Sequence, residues 1–137
     1  MKGGRDGMKQ TIKKFDVVLV DFGENVGSEQ DGKRPAIVVQ NDIGNYHSPT
    51  TLVMPCTTAK GKHRIPTHTP IRKGRGTGLK ENSIVLGECI RQVSEERIIK
   101  LLGRITDEKE QCAIKEVYFS NWKEYGCRIE SHCELVL

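Results

Sequence analysis

Residues 26–42 read VGSEQDGKRPAIVVQND and join a polar, glycine-bearing segment to a dense apolar run. The apolar half is rich in β-branched residues, so it predicts a buried strand, and Pro35 can open that strand because a missing N–H is tolerated there. Arg34 stands at the junction of the two halves. The polar half is long for a hairpin connection, which predicts a loop that folds over the start of the strand like a lid.

Similar apolar runs on both sides predict a small, mainly β domain. Asp107 and Glu110 have capping-box spacing, and the apolar residues after them recur at helical intervals up to Tyr125, which predicts a C-terminal helix that stops at Gly126. Short strands at close spacing favour a small twisted β-barrel. The expected strands cover residues 15–22, 34–40, 50–57, 82–93 with a bend near Gly87, and 98–105, and residues 63–69 allow one more short strand.

The chain has 137 residues, which fits one domain. We assign that domain to residues 14–126, with a flexible N-terminal extension over 1–13 and a C-terminal tail over 127–137. Only 36% of the residues are hydrophobic, which favours a homodimer that buries more apolar surface. No apolar run approaches the length needed to cross a membrane.

The charge distribution and the spacing of the cysteines argue against a bound metal or cofactor. The net charge is +4, and basic residues concentrate in 60–80, which indicates either a phosphate-facing surface or a solvated loop. Five scattered cysteines, an odd number, argue against a disulfide framework and predict reduced thiols in the cytoplasm. The nearest approach to a zinc site is Cys127, His132 and Cys133, which contains no C-x-x-C pair. We therefore expect neither a metal nor a cofactor.

Two strand ends carry the side chains with the most chemical interest. In an antiparallel pair the start of one strand lies beside the end of the next, so Arg34 should meet Thr57 and Thr58 at one edge. An arginine fork beside hydroxyls is a good phosphate receptor. The alternative is that Arg34 pairs with Glu29 or Asp42 and the threonines only end a strand. The segment GRGTG at 74–78 lacks the strand-then-helix context of a phosphate loop and predicts a flexible connection.

Two blocks, G-S-E-Q followed by R-P and then P-C-T-T, resemble the MazF/PemK family of type II toxin–antitoxin ribonuclease toxins. The resemblance covers residues 16–42, 45–60 and 77–93, and more weakly 104–120. It implies a small twisted β-barrel of the CcdB/PemK, Src-homology-3-like type with a C-terminal helix, assembled as a homodimer. It also implies a MazE-like antitoxin that lays an extended acidic and apolar segment across the RNA groove.

The resemblance further implies metal-independent, sequence-specific cleavage of single-stranded RNA, chiefly messenger RNA, which stops translation and growth. By position in the two blocks, the catalytic residues are Arg34 and Thr57. The chemistry uses the nucleophile that RNA carries, so the 2′-hydroxyl attacks the adjacent phosphorus and leaves 2′,3′-cyclic phosphate and 5′-hydroxyl ends. The expected RNA-binding residues are Gly27, Ser28, Glu29, Gln30, Asn41, Thr58 and Arg91.

The general base is less well defined. Glu29 is the nearby carboxylate that we expect to take the proton of the 2′-hydroxyl, and it can alternatively orient the base or Arg34. His47 and His63 are the rival bases.

Two other functions fit the same scaffold. A CcdB-like toxin that binds DNA gyrase would need no phosphate site, and the intact R-P and P-C-T-T blocks argue against it. A non-catalytic RNA-binding module would use the basic stretch 60–80. Incubation with RNA separates the three hypotheses, because a gyrase-binding toxin leaves RNA intact and a binding module retains it without cutting.

Overall fold

The structure is a computed structural model and describes residues 12–23, 32–59 and 65–122. Within these ranges the chain forms seven strands followed by a long helix, with one short helix between the second and third strands. The elements are β1 Asp16–Asp21, β2 Lys33–Val38, α1 Asp42–His47, β3 Thr50–Thr58, β4 His68–Ile71, β5 Ser83–Leu86, β6 Arg91–Ser94, β7 Ile98–Arg104 and α2 Glu108–Ser120.

All the strand pairs are antiparallel, in the order β4-β5-β3-β2-β1-β7. The long strand β3 serves two partners: Thr50 to Val53 pair with β6, and Cys56 to Thr58 pair with β5. This change of partner bends the sheet strongly. The seven strands and the final helix α2 confirm the predicted mainly β fold with a C-terminal helix. The predicted barrel is not closed, because β4 and β7 end the strand order within the described residues and do not pair.

The gap between the two edge strands is bridged by a tight turn over residues 74–78. The Arg104 amide donates to the Gly76 carbonyl at 2.8 Å, and the Thr77 amide donates to the Gly74 carbonyl at 3.0 Å. A Cβ on Gly103 would lie 2.2 Å from the Gly76 oxygen, so only glycine allows this approach. The sequence predicts a flexible connection here; the structure instead has a hydrogen-bonded turn, which we name the glycine clasp.

The two faces of the sheet are both buried, because alternate residues of β1 enter different apolar clusters. Val17 packs into the cluster that α2 covers, together with Ile37, Met54 and Ile114. Val18 lies on the opposite face in a second cluster, whose other buried members are Val20, Phe22, Ala36, Val38, Val53 and Val93. The central strands are therefore almost continuously apolar, as the sequence shows.

The polar residues at 41–49 predict a turn, and the structure has the short helix α1 within them. The Asn41 side chain caps it by accepting from the Gly44 amide at 2.8 Å. The polar residues that favour turns also cap helices, which is why the sequence did not distinguish the two. The bend predicted near Gly87 is confirmed as a 3₁₀ turn over Gly87–Cys89 that separates β5 from β6.

Helix α2 starts where the sequence predicts. Asp107 caps it by accepting from the amides of Lys109 at 2.8 Å and Glu110 at 3.2 Å. The Glu110 side chain accepts from the Arg72 amide at 3.1 Å, so the predicted capping box contributes only its first half and Glu110 ties the helix to the residue after β4. No helix in the described part of the chain is long and apolar enough to span a bilayer.

Several predictions fall on other parts of the chain. Of the predicted extension 1–13, the described residues include only the last two, and the Lys13 amide there donates to Asp16 at 2.9 Å. Tyr125, Gly126 and the predicted tail 127–137 lie outside the described residues.

Candidate active site

A cleft of about 520 Å³ opens where the ends of the central strands meet the loop that precedes β5. Its apolar floor includes Leu19, Pro35 and Leu102. The polar and charged side chains that line it are Arg34, Thr57, Thr58, Lys80, Glu81, Ser83 and Lys100. A pocket with an apolar base and a rim dominated by cations and hydroxyls suits a phosphate-bearing chain.

The two predicted catalytic residues lie just beyond the paired part of β2 and β3. That pairing runs from Val38 opposite Val53 to Ala36 opposite Pro55. Beyond it, Arg34 stays paired with Val20 of β1 and Thr57 pairs with Ile84 of β5. Both residues line the cleft, so the convergence predicted from the strand ends occurs in the structure.

The charge of Arg34 reaches two neighbouring thiols. Burial raises the pKa of Cys56 to about 12, and Arg34 offsets part of that rise. Burial also raises the pKa of Cys89, with a further rise from Glu88, and Arg34 again opposes the shift. The Cys56 thiol, which lines the cleft together with Arg34, therefore stays protonated at neutral pH, which makes it a poor nucleophile.

Asp42, one of the alternative partners for Arg34, is engaged at the other end of β2. Its carboxylate accepts from the Lys14 amide at 2.7 Å and lies at the start of α1. The other alternative, Glu29, lies outside the described residues, as do Gly27, Ser28 and Gln30.

The structure describes the two ends of the polar loop, although those four residues lie outside the described ranges. The Phe22 amide donates to the Gly32 carbonyl, and the Gly32 amide donates to the Gly23 carbonyl, both at 2.9 Å. Gly23 and Gly32 have positive φ angles of 72° and 73°. The loop therefore leaves and rejoins the sheet two residues before Arg34, at the edge of the cleft.

Two predicted RNA-binding residues do not line this cleft. Asn41 is the cap of α1 and borders a second groove of about 480 Å³ at the other end of β2. Arg91 lies opposite Val53 on β6, and its guanidinium stacks 5.2 Å from the centre of the Phe22 ring. Thr58 does line the cleft and is exposed. The structure thus groups Arg34, Thr57 and Thr58, and separates them from Asn41.

Three charged lining residues were not predicted as a site: Lys80, Glu81 and Lys100. Lys80 belongs to the basic stretch 60–80, whose charge indicates a phosphate-facing surface or a solvated loop but does not show where each residue lies in the fold. Lys100 is one of two cations in the otherwise apolar strand β7, and only the pairing of β7 with β1 places it at the cleft.

A further polar cluster lies beside Cys89. The Glu88 carboxylate accepts from the Thr67 hydroxyl at 2.8 Å and contacts the His68 ring at 2.9 Å. Burial alone would raise the pKa of Glu88, but these hydrogen bonds outweigh it and the pKa is lowered. In the described part of the chain, no three His, Cys, Asp or Glu side chains lie close enough together to hold a metal ion.

The fold and the cleft define a class of small proteins built on a bent β-sheet, with a cation- and hydroxyl-lined cleft at one edge, and comparison with known sequences identifies the family. The sequence profile described as "PemK-like, MazF-like toxin of type II toxin-antitoxin system" matches residues 13–116. The chain belongs to this family. It is also 40% identical over 97 residues to "Endoribonuclease EndoA" of Bacillus subtilis (strain 168), an alignment that covers 71% of this chain and 83% of that protein.

Solved structures share the fold at low sequence identity. MazF from Deinococcus radiodurans superposes with a TM-score of 0.69 at 18% identity, over 83% of this chain and 98% of that one. An endoribonuclease in complex with its cognate antitoxin, from a mycobacterial species, superposes with a TM-score of 0.66 at 20% identity, over 81% and 94%. These superpositions support the open, bent sheet with its C-terminal helix.

Proposed function

We propose that this protein is the toxin of a type II toxin–antitoxin module. It is a metal-independent, sequence-specific endoribonuclease that cleaves single-stranded messenger RNA, and its catalytic residues are Arg34 and Thr57. The observation that carries the proposal is that these two side chains, from neighbouring strands, line one cleft. The 40% identical relative named an endoribonuclease supports the same activity.

In this mechanism RNA supplies its own nucleophile. The cleft holds the ribose so that its 2′-hydroxyl lies in line with the adjacent phosphorus, which lowers the barrier by fixing the geometry of attack. The O2′–P bond forms as the 2′-hydroxyl loses its proton, and the bond from phosphorus to the 5′ oxygen breaks as that oxygen takes a proton from water. The products are a 2′,3′-cyclic phosphate and a 5′-hydroxyl, which is why a deoxyribose strand is not a substrate.

Arg34 and Thr57 stabilise the negative charge that builds on the phosphoryl oxygens. The guanidinium donates two parallel hydrogen bonds, and the threonine hydroxyl adds a neutral donor from the neighbouring strand. Arg34 lies two residues before the buried Ala36, and Thr57 directly follows the buried Cys56, so the core holds both donors in position. A guanidinium is a weak acid, so Arg34 acts chiefly through charge.

The proton of the 2′-hydroxyl needs an acceptor. Among the described residues that line the cleft, Glu81 is the only carboxylate. Glu29, the base favoured by the sequence, lies in the loop that leaves the sheet beside Arg34. We retain Glu29 as the proposed base, because it belongs to the G-S-E-Q block that carries the family resemblance.

The proposed partners follow from the family. The substrate is single-stranded RNA, the regulator is a MazE-like antitoxin, and the active form is a homodimer in the cytoplasm, where messenger RNA is available.

The test is incubation of the purified protein with a long unstructured RNA in EDTA, followed by sequencing of the fragment ends. We expect cleavage at one short recurring sequence with cyclic phosphate and 5′-hydroxyl ends. Intact RNA, or fragments that appear only when a divalent cation is restored, would overturn the proposal. An Arg34→Ala preparation made in parallel controls for contaminating nucleases.

A further inference from the structure

Most arginines in the described part of the chain are held by the protein itself. Arg75 and Arg72 contact the Asp107 carboxylate at 3.2 and 3.5 Å, and Arg104 contacts Asp16 at 3.0 Å. The basic stretch 60–80 thus contributes two of its cations to the start of α2. Those side chains are poorly placed to bind an external phosphate.

Lys80 and Lys100 differ from these arginines. Both are exposed, both line the cleft that contains Arg34 and Thr57, and neither forms a salt bridge with another described residue. A lysine ammonium is a compact charge on a flexible stem, which suits a phosphate whose exact position varies with the bound sequence.

The sheet sets the spacing of Lys100 from the catalytic edge. Lys100 lies opposite Leu19, and Leu19 lies opposite Pro35, the residue next to Arg34. Two strand spacings separate the Lys100 and Pro35 backbones by about 10 Å. That separation places the lysine at a phosphate other than the one being cut.

The glycine clasp sets the position of Lys80. Gly78 abuts the Leu102 carbonyl so closely that a Cβ would lie 2.2 Å from that oxygen, and its φ of 76° also favours glycine. The clasp therefore holds the loop before β5 against β7, two residues from Lys80. This contact brings Lys80 and Lys100 to the same cleft from different elements.

We propose that Lys80 and Lys100 bind the phosphates next to the scissile one, so that the RNA backbone runs through the cleft from the end of β3 to β7. The inference rests on the proposed function and extends it, because it assigns a backbone-binding track rather than the reaction. Both lysines act on binding and not on the chemical step, since neither occupies the Arg34–Thr57 edge. Glu81 lies between them in the chain and opposes the binding of anions.

The test compares the double variant K80A/K100A with the wild type for binding to an RNA oligonucleotide that carries a 2′-deoxy residue at the cleavage site. Each phosphate neutralised on a single strand contributes about 0.7 to the slope of log affinity against log salt, so we expect the slope to become shallower by about 1.4. At 0.1 M salt this corresponds to roughly fivefold weaker binding for each lysine removed. KM for cleavable RNA should rise, and kcat at saturation should be unchanged.

Two matched variants complete the design. K80R/K100R keeps the charges and should retain the wild-type slope, whereas K109A/K115A removes two exposed lysines from α2 and should also retain it. An unchanged slope and KM in K80A/K100A, with normal cleavage by the wild type, would overturn this inference alone. Failure of the wild type to cleave RNA would instead overturn the proposed function.

Discussion

The two grooves of the domain are similar in volume, about 520 and 480 Å³, and β2 reaches both of them. At the start of β2, Arg34 lines the first cleft together with Thr57, Lys80 and Lys100. Just past its end, Val39 lines a groove that also includes side chains of α2 and the cap of α1. One strand thus carries the proposed phosphate site at one end and a structural junction at the other, and the difference lies in the residues that flank it.

The largest expected effect is on the cleavage rate, and it concerns the end of β2 that carries Arg34. Arg34→Ala removes a charged donor from the transition state, so cleavage should slow by roughly 10²–10³, or about 3–4 kcal/mol. Single-turnover cleavage of a fluorescent RNA measures this. The control in the second groove, Lys115→Ala, should leave the cleavage rate unchanged. Equal losses of rate in both variants would contradict the assignment of catalysis to the first groove.

The glycine clasp supports only the first groove. Gly103→Ala would place a Cβ 2.2 Å from the Gly76 oxygen, so the backbone must shift. We expect a loss of about 2 kcal/mol in the free energy of unfolding, measured by urea denaturation, together with weaker RNA binding. The comparison in the second groove is Gly44→Ala, whose Cβ would lie 3.0 Å from the hydrogen-bonded Gln40 side chain rather than against backbone, so we expect a smaller loss. Unaltered stability in Gly103→Ala would contradict the close approach.

Thr57 supplies a neutral donor, so its removal should cost less than the loss of Arg34. Thr57→Ala should slow cleavage about tenfold, the effect of losing one hydrogen bond of about 1.4 kcal/mol. Thr57→Ser keeps the hydroxyl and should recover most of the rate. A slow Thr57→Ser variant would show that the methyl group matters rather than the donor.

Asn41 tests whether the far end of β2 takes part in RNA binding. Because its side chain caps α1, Asn41→Ala should reduce the free energy of unfolding by about 1 kcal/mol and leave KM and kcat unchanged. Asn41→Asp keeps the cap and should restore stability. A raised KM with unchanged stability would favour the role implied by the family resemblance instead.

The smallest expected change is a gain. Glu81→Gln removes the carboxylate from the proposed RNA cleft, so RNA affinity should rise about two- to threefold at low salt and the gain should fade as salt screens the charges. The measurement is the same oligonucleotide titration. Loss of cleavage in this variant would identify Glu81 as the base in place of Glu29.

The sequence predicted the central strands well because β-branched runs buried on both faces leave little choice of structure. It predicted the meeting of Arg34 and Thr57 because antiparallel pairing places a strand start beside a strand end. It did not predict α1, whose capping residues look like a turn, nor the glycine clasp, whose glycines matter only once β7 lies against them. Lys100 was also missed, because its role depends on which strand pairs with β7.

The most direct test of the account uses two RNA oligonucleotides that differ by one atom. One is all-ribose, and the other carries 2′-deoxyribose only on the 5′ side of the mapped cleavage site; both are incubated with the protein in EDTA. The account predicts that the first is cut to 2′,3′-cyclic phosphate and 5′-hydroxyl ends, and that the second binds with similar affinity and stays intact. Cleavage of the deoxy-substituted strand would contradict it, because the nucleophile would then come from water or from the protein.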